Sequence, residues 1–204
     1  MTSAAHPTHP AAPTPGQTVG PFFHYALPYA GDRDLVPPGA PGAIRLHGRV
    51  TDGAGTPVPD ALLEIWQADP SGAVPRAEGS LHRDGFTFTG FGRASTDRRG
   101  VYSFSTLAPG PTRPGAAPFF AVTVFARGQL DRLFTRAYLP AGSPGVDATA
   151  LDTDRLLASL PAERRATLVA TADEQGYVFD VRLQGDDETV FLAFDGRRRS
   201  AGRD

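Results

Sequence analysis

An all-β fold, an antiparallel β-sandwich with an N-terminal arm and one short helical insertion, is predicted by three features of this 204-residue sequence. Apolar and polar residues alternate over several short stretches, the period of a half-buried strand. Gly and Pro are frequent (23 and 20 residues) and separate those stretches with turn chemistry. One region breaks the pattern with the three-to-four spacing of a helix.

Taken in order, residues 1–16 are rich in Pro, Ala, Thr and Ser. They hold too little apolar surface to build a core and read as a flexible arm. Gly20 to Tyr25 is different, because Phe22, Phe23 and Tyr25 need apolar surroundings on the body of the domain or on a partner. Residues 32–41 return to turn chemistry. From Ile44 the signal is β: Ile44, Leu46, Gly48 and Val50 alternate with Arg45, His47 and Arg49. After the turn at residues 52–55, residues 58–68 give a second strand. Further strands are expected at 86–95, 101–107, 119–127, 134–139, 177–183 and 189–194. The helical interruption carries Leu156, Leu157 and Leu160 behind Asp152 and Asp154, carboxylates placed to suit the helix dipole. Pro161 opens a second short turn through Arg165. Residues 195–204, with Arg197, Arg198 and Arg199 and no apolar residue beyond Ala, read as a mobile tail. The domain is therefore expected over 17–194.

Composition excludes several classes. The net charge of -2 offers no basic field for nucleic acid. All 20 cationic residues are Arg, which reads better as genome bias than as a recognition device. Without cysteine there is no disulfide and no thiolate metal site. No stretch approaches the roughly 18 apolar residues of a membrane span, and the first residues lack the features of a signal peptide. A cytoplasmic protein is expected.

Read residue by residue, the chain offers little for catalysis. His6, His9, His24, His47 and His82 form no H-x-H or H-x-x-x-H pair, so no metal site is visible locally, although one assembled from distant residues stays open. Asp60 and Glu64 sit beside apolar strand positions, where pairing with an Arg outweighs acid–base work. A non-enzymatic β-sandwich binding module is the alternative reading, since fold alone does not fix function.

The motifs change that balance. Val50-Thr51-Asp52 followed by Pro57, Ala61 and Glu64-Ile65-Trp66-Gln67-Ala68 resembles the strand–turn–strand signature of the intradiol ring-cleaving dioxygenases. Asp97, Gly100, Tyr102 and Phe104 with Pro109-Gly110-Pro111 resemble the family's next block, and Thr18, Gly20, Pro21 and Phe22 its N-terminal loop. The blocks occur in family order from about Gln17 to Phe194. The resemblance implies an intradiol-type sandwich and a non-haem iron(III) held by two Tyr and two His. Carried onto this sequence, those ligand positions fall at Val74, Thr112, Phe119 and Ala121, so every ligand is lost.

Such a pattern is similar to the iron-free α subunits of the family, which pair with a homologous iron-bearing β subunit. Phe125-Ala126-Arg127-Gly128, Thr135-Arg136, Val181 to Gly185 and Glu188 to Phe191 resemble their later motifs. Those α subunits often keep one His where this chain has Phe119. The emptied iron cavity is accordingly expected to be filled by apolar side chains. The resemblance further implies protocatechuate and O₂ as small-molecule partners and Fe(III) bound by the β subunit, with no catalytic residue in this chain. Thr18, Gly20 and Pro21 would line the substrate mouth, and Arg127 would face the substrate carboxylate or simply pair with a neighbouring acid. A self-sufficient dioxygenase with relocated ligands is the remaining enzyme reading.

Overall fold

The computed structural model describes Gly20, residues 23–76 and residues 83–194. The arm, Thr18, Pro21, Phe22, His82 and the tail lie outside the described residues. After a single helical turn, α1 (Phe23–Ala26), the strands are β1 (Ala43–Thr51), β2 (Leu62–Trp66), β3 (Phe91–Ser95), β4 (Val101–Leu107), β5 (Phe119–Phe125) and β6 (Leu133–Tyr138). Three short helices follow, α2 (Ala148–Thr153), α3 (Arg155–Ala158) and α4 (Ala162–Ala166), and then β7 (Thr171–Asp173), β8 (Gly176–Val178) and β9 (Val181–Arg182). One sheet runs β4-β1-β8-β7 with β9 also on β1, and the other runs β3-β2-β5-β6. Among the described residues no helix is long and apolar enough to cross a membrane.

Alternation places the core between the sheets. Tyr102, Phe104 and Thr106 of β4 point inward, and so do Leu46 and Val50 of β1. Leu63 and Ile65 of β2, with Phe120, Val122 and Val124 of the neighbouring β5, meet them from the second sheet. A second apolar cluster, around Leu157, Leu168 and Tyr138, seats the helices against the end of β6. Asp154 starts α3 as expected, accepting from the Leu156 and Leu157 amides, and Asp147 does the same for α2 through Thr149.

The expected sandwich is present, and one of its two sheets is mixed. β1 pairs with β8 and with β9 in parallel, while the other sheet is antiparallel throughout. The helices carry the chain from β6 of the second sheet to β7 of the first. The expected strand at 177–183 is split at Phe179 and Asp180. There the Asp180 carboxylate takes the Arg49 N–H at 2.7 Å, replacing a ladder bond. Gly48 makes room, since a Cβ would meet the Phe179 carbonyl oxygen at 2.0 Å. That carbonyl instead accepts from the buried Tyr102 hydroxyl. Tyr102→Phe strands it, so a loss of about 1–3 kcal/mol is expected from urea unfolding.

Two other expected strands are shortened or absent. Within 86–95 only Phe91–Ser95 is strand, because Asp84 closes a turn by accepting from the Phe86 and Thr87 amides and the Thr87 hydroxyl. Residues 189–194 make single bonds to neighbouring strands, such as Leu192 N–H to the Phe134 carbonyl at 2.7 Å, without a ladder.

Similar turns carry a prediction about acid. The Thr87 hydroxyl and backbone amides hold the Asp84 carboxyl down at about 2. Amides of Thr56 and Val101, together with others, lower Asp52 and Asp97. Carboxyls depressed by folding contribute stability above their unfolded value, near 4, and lose it as pH falls through the folded one. Asp32, raised by burial, works in the opposite sense. The urea midpoint is expected to drop between about pH 4 and pH 2, and Asp84→Asn, which keeps a turn-forming side chain without the charge, to flatten that drop.

Candidate functional site

The residues at the four positions expected to have lost their ligands converge. β2 and β5 are antiparallel neighbours in register, with Trp66 opposite Ala121. Both side chains therefore stand on the outer face of the second sheet, two residues along from Phe119. Two loops then close over this corner. Asp69 ties the first by accepting from Ser71 N and Oγ and from Ala73 N, bonds led by the Ser71 hydroxyl that lower its pKa.

The second loop, after β4, is pressed against the first by glycines. Gly72 has φ +88, and a Cβ there would meet the Pro111 carbonyl oxygen at 2.0 Å. A Cβ on Gly110 would meet the Pro70 carbonyl oxygen at 2.4 Å, and the Gly110 amide donates to the Asp69 carbonyl. Only glycines allow this contact, and it carries Val74 and Thr112 to one place. Trp66, Val74, Thr112, Phe119 and Ala121 line a single cavity of about 170 Å³.

The chemistry of that lining does not suit a ferric ion. Two aliphatic groups, a phenyl ring and one neutral hydroxyl offer no anionic oxygen and no imidazole. Among the described residues no group of three His, Cys, Asp or Glu side chains lies close enough to share a metal ion. The expectation that side chains fill the cavity is corrected: its walls are largely apolar, but space remains. Ala121 is too short to occupy the room of a ligand, and Val74, 58% exposed, stays out on its loop.

The wall at Phe119 is held by residues to which the sequence assigned no such task. The Arg136 guanidinium lies 4.1 Å from the Phe119 ring centroid and donates to the Tyr138 hydroxyl at 2.9 Å. Tyr138, whose ring packs on Phe119 at 5.5 Å, donates in turn to Asp154 at 3.0 Å. Burial, offset by Arg136, pushes the Tyr138 phenol up to about 12, so it remains a donor. Motif matching flagged Arg136, but its use depends on the β5–β6 register, which no local pattern states.

Arg127 stands elsewhere. It follows the far end of β5, roughly 20 Å along the chain from Ala121, and its guanidinium meets Asp60 at 2.7 Å. Asp60 is nearly covered while the Arg127 side chain is 61% exposed. Glu64 likewise pairs with Arg93 at 2.5 Å, so both acids take the structural pairing expected of them. Of the N-terminal loop, Gly20 is described: its φ of +74 is a left-handed conformation that favours glycine. His47 stands beside Asp173, Nε2 3.1 Å from Oδ2.

Comparison with known proteins matches this geometry. A family model described as Dioxygenase matches residues 20–185. The protocatechuate 3,4-dioxygenase alpha chain of Burkholderia cepacia is 43% identical over 196 residues, covering 88% of this chain and 96% of that protein. The beta chain from the same organism is 32% identical over 164 residues, covering 72% of this chain and 66% of that one. Among solved structures, the dioxygenase domain of a dioxygenase–carbohydrate-binding fusion from Streptomyces sp. SirexAA-E superimposes with a TM-score of 0.53 at 26% identity, covering 85% of this chain and 99% of the domain. A sandwich with this strand order, motif blocks in family order and these relatives have one common reading: the chain belongs to the intradiol ring-cleavage dioxygenase family.

Proposed function

We propose that this chain is the iron-free α subunit of a protocatechuate 3,4-dioxygenase, completing the active site of a homologous β subunit. That β subunit would hold Fe(III) and cleave protocatechuate with O₂ to 3-carboxy-cis,cis-muconate. The observation that carries the proposal is the convergence of Val74, Thr112, Phe119 and Ala121 on one cavity. On this reading the corner corresponds to the family's ligand corner with its donors replaced.

Held by the partner, Fe(III) would supply the redox chemistry of ring opening. This chain's own contribution is binding, orientation and exclusion of water. Thr18, Gly20 and Pro21 are proposed to line the substrate mouth, where the left-handed Gly20 lets backbone approach closely. Arg127 is proposed to face the substrate carboxylate, a group that guanidinium grips with two parallel hydrogen bonds. Its exposure leaves room for that task alongside Asp60.

Co-expression with a homologue carrying both Tyr and both His tests the proposal. A stable, coloured complex that cleaves protocatechuate is expected, and the purified chain alone is expected to bind no iron and to lack the visible tyrosinate-to-iron absorption. That band in the chain alone would overturn the ligand argument. Failure of the two chains to associate would favour a stand-alone binding module.

A further inference from the structure

We propose that the cavity walled by Trp66, Val74, Thr112, Phe119 and Ala121 is a binding site for one small neutral aromatic ring, of the size and polarity of phenol. Its volume, about 170 Å³, is close to that of apolar protein cavities of roughly 150 Å³ that take up benzene. The excess is room for a ring substituent of one heavy atom. The inference rests on the cavity alone and does not require the subunit reading.

The walls suit a ring and are held in place. Trp66 is braced by Phe91, ring centroids 4.6 Å apart, and is 46% exposed, so one side of its indole remains uncovered. Phe119 is fixed between Arg136 and Tyr138. A ring between two braced aromatics gains stacking or edge contacts without ordering either of them.

Polarity then narrows the ligand. Gln67 contributes to the lining, but its amide is spent: it donates to the Ala68 and Leu107 carbonyls and accepts from the Thr106 hydroxyl. Thr112, exposed at the rim, brings the lining hydroxyl that is left for a ligand. Among the described residues no charged side chain lines the cavity, and Arg136 nearby is committed to Phe119 and the Tyr138 hydroxyl. An aromatic carboxylate would therefore be desolvated without a counter-charge, whereas a single neutral hydroxyl keeps a partner.

Trp66 is the single tryptophan of the chain, so the site reports on itself. Its emission, excited at the red edge of the band, is followed while the full chain is titrated with phenol, fluorobenzene and benzoate. Saturable quenching by phenol is expected with a half-point on the order of 1 mM, and benzoate at least tenfold weaker. Ala121→Leu, which fills the cavity, is expected to weaken phenol at least tenfold. Thr112→Val at the exposed rim is expected to weaken phenol several-fold and leave fluorobenzene unchanged, and it decides the matter if Ala121→Leu fails to fold. Quenching linear in phenol, equal binding of benzoate, or variants indistinguishable from the parent chain would each overturn the proposal.

Discussion

Arg93→Ala is expected to lower the unfolding free energy by about 3 kcal/mol, the largest loss from any single ion-pair substitution in this chain. Arg93 and Glu64 are only 11% and 17% exposed. Two guanidinium nitrogens donate to one Glu64 oxygen at 2.9 and 2.5 Å, and the third donates to the Leu27 carbonyl at 2.5 Å. Truncation therefore leaves a carboxylate in a poorly solvated place and releases the N-terminal segment from the sheet. The cost comes from the orphaned charge more than from lost attraction, so the double variant Arg93→Leu/Glu64→Leu is expected to recover most of it. Urea midpoints of the parent and the two variants check this. A double variant as unstable as Arg93→Ala would show that the Leu27 link dominates. Because Leu27 follows the loop that begins at Gly20, Arg93→Ala is also expected to weaken association with the β homologue.

The sequence carries the framework where alternation is local. β4 has the bounds that its alternation predicts, Val101–Leu107, because every second side chain enters one core. Where one side chain competes with the ladder, the pattern misleads. Asp180 captures the Arg49 amide and splits a strand whose alternation is clean. Asp84 captures two amides and removes the first half of another. Parallel pairing of β1 with β8 is equally invisible, since alternation does not record strand direction.

The site divides along the same line. That Val74, Thr112, Phe119 and Ala121 belong together is readable only through motif order, because they are up to 47 residues apart in the chain. What brings them together is legible afterwards in Gly72 and Gly110, whose missing side chains allow two loops to touch. The space left inside is not legible, because it depends on how far neighbouring walls collapse. The Arg136–Tyr138–Asp154 chain depends on a strand register and a helix start at once.

Arg127→Ala is expected to raise the Michaelis constant of the assembled enzyme for protocatechuate roughly 10- to 100-fold. That range corresponds to about 1.5–3 kcal/mol for hydrogen bonds to a charged group. For a catechol without the carboxylate the change is expected to stay within about twofold, because nothing in that ligand calls for a cation. The competing role is structural: Arg127 reaches Asp60 at 2.7 Å, and Asp60 is the better covered partner. If pairing with Asp60 were its whole task, the loss would appear as stability and would touch both substrates alike. Asp60→Asn separates the two, since it removes the pairing charge and leaves the guanidinium exposed. It is expected to keep the Michaelis constant for protocatechuate near that of the parent enzyme. Equal effects of Arg127→Ala on both substrates, matched by Asp60→Asn, would make Arg127 a structural residue and leave the substrate mouth to the Gly20 loop.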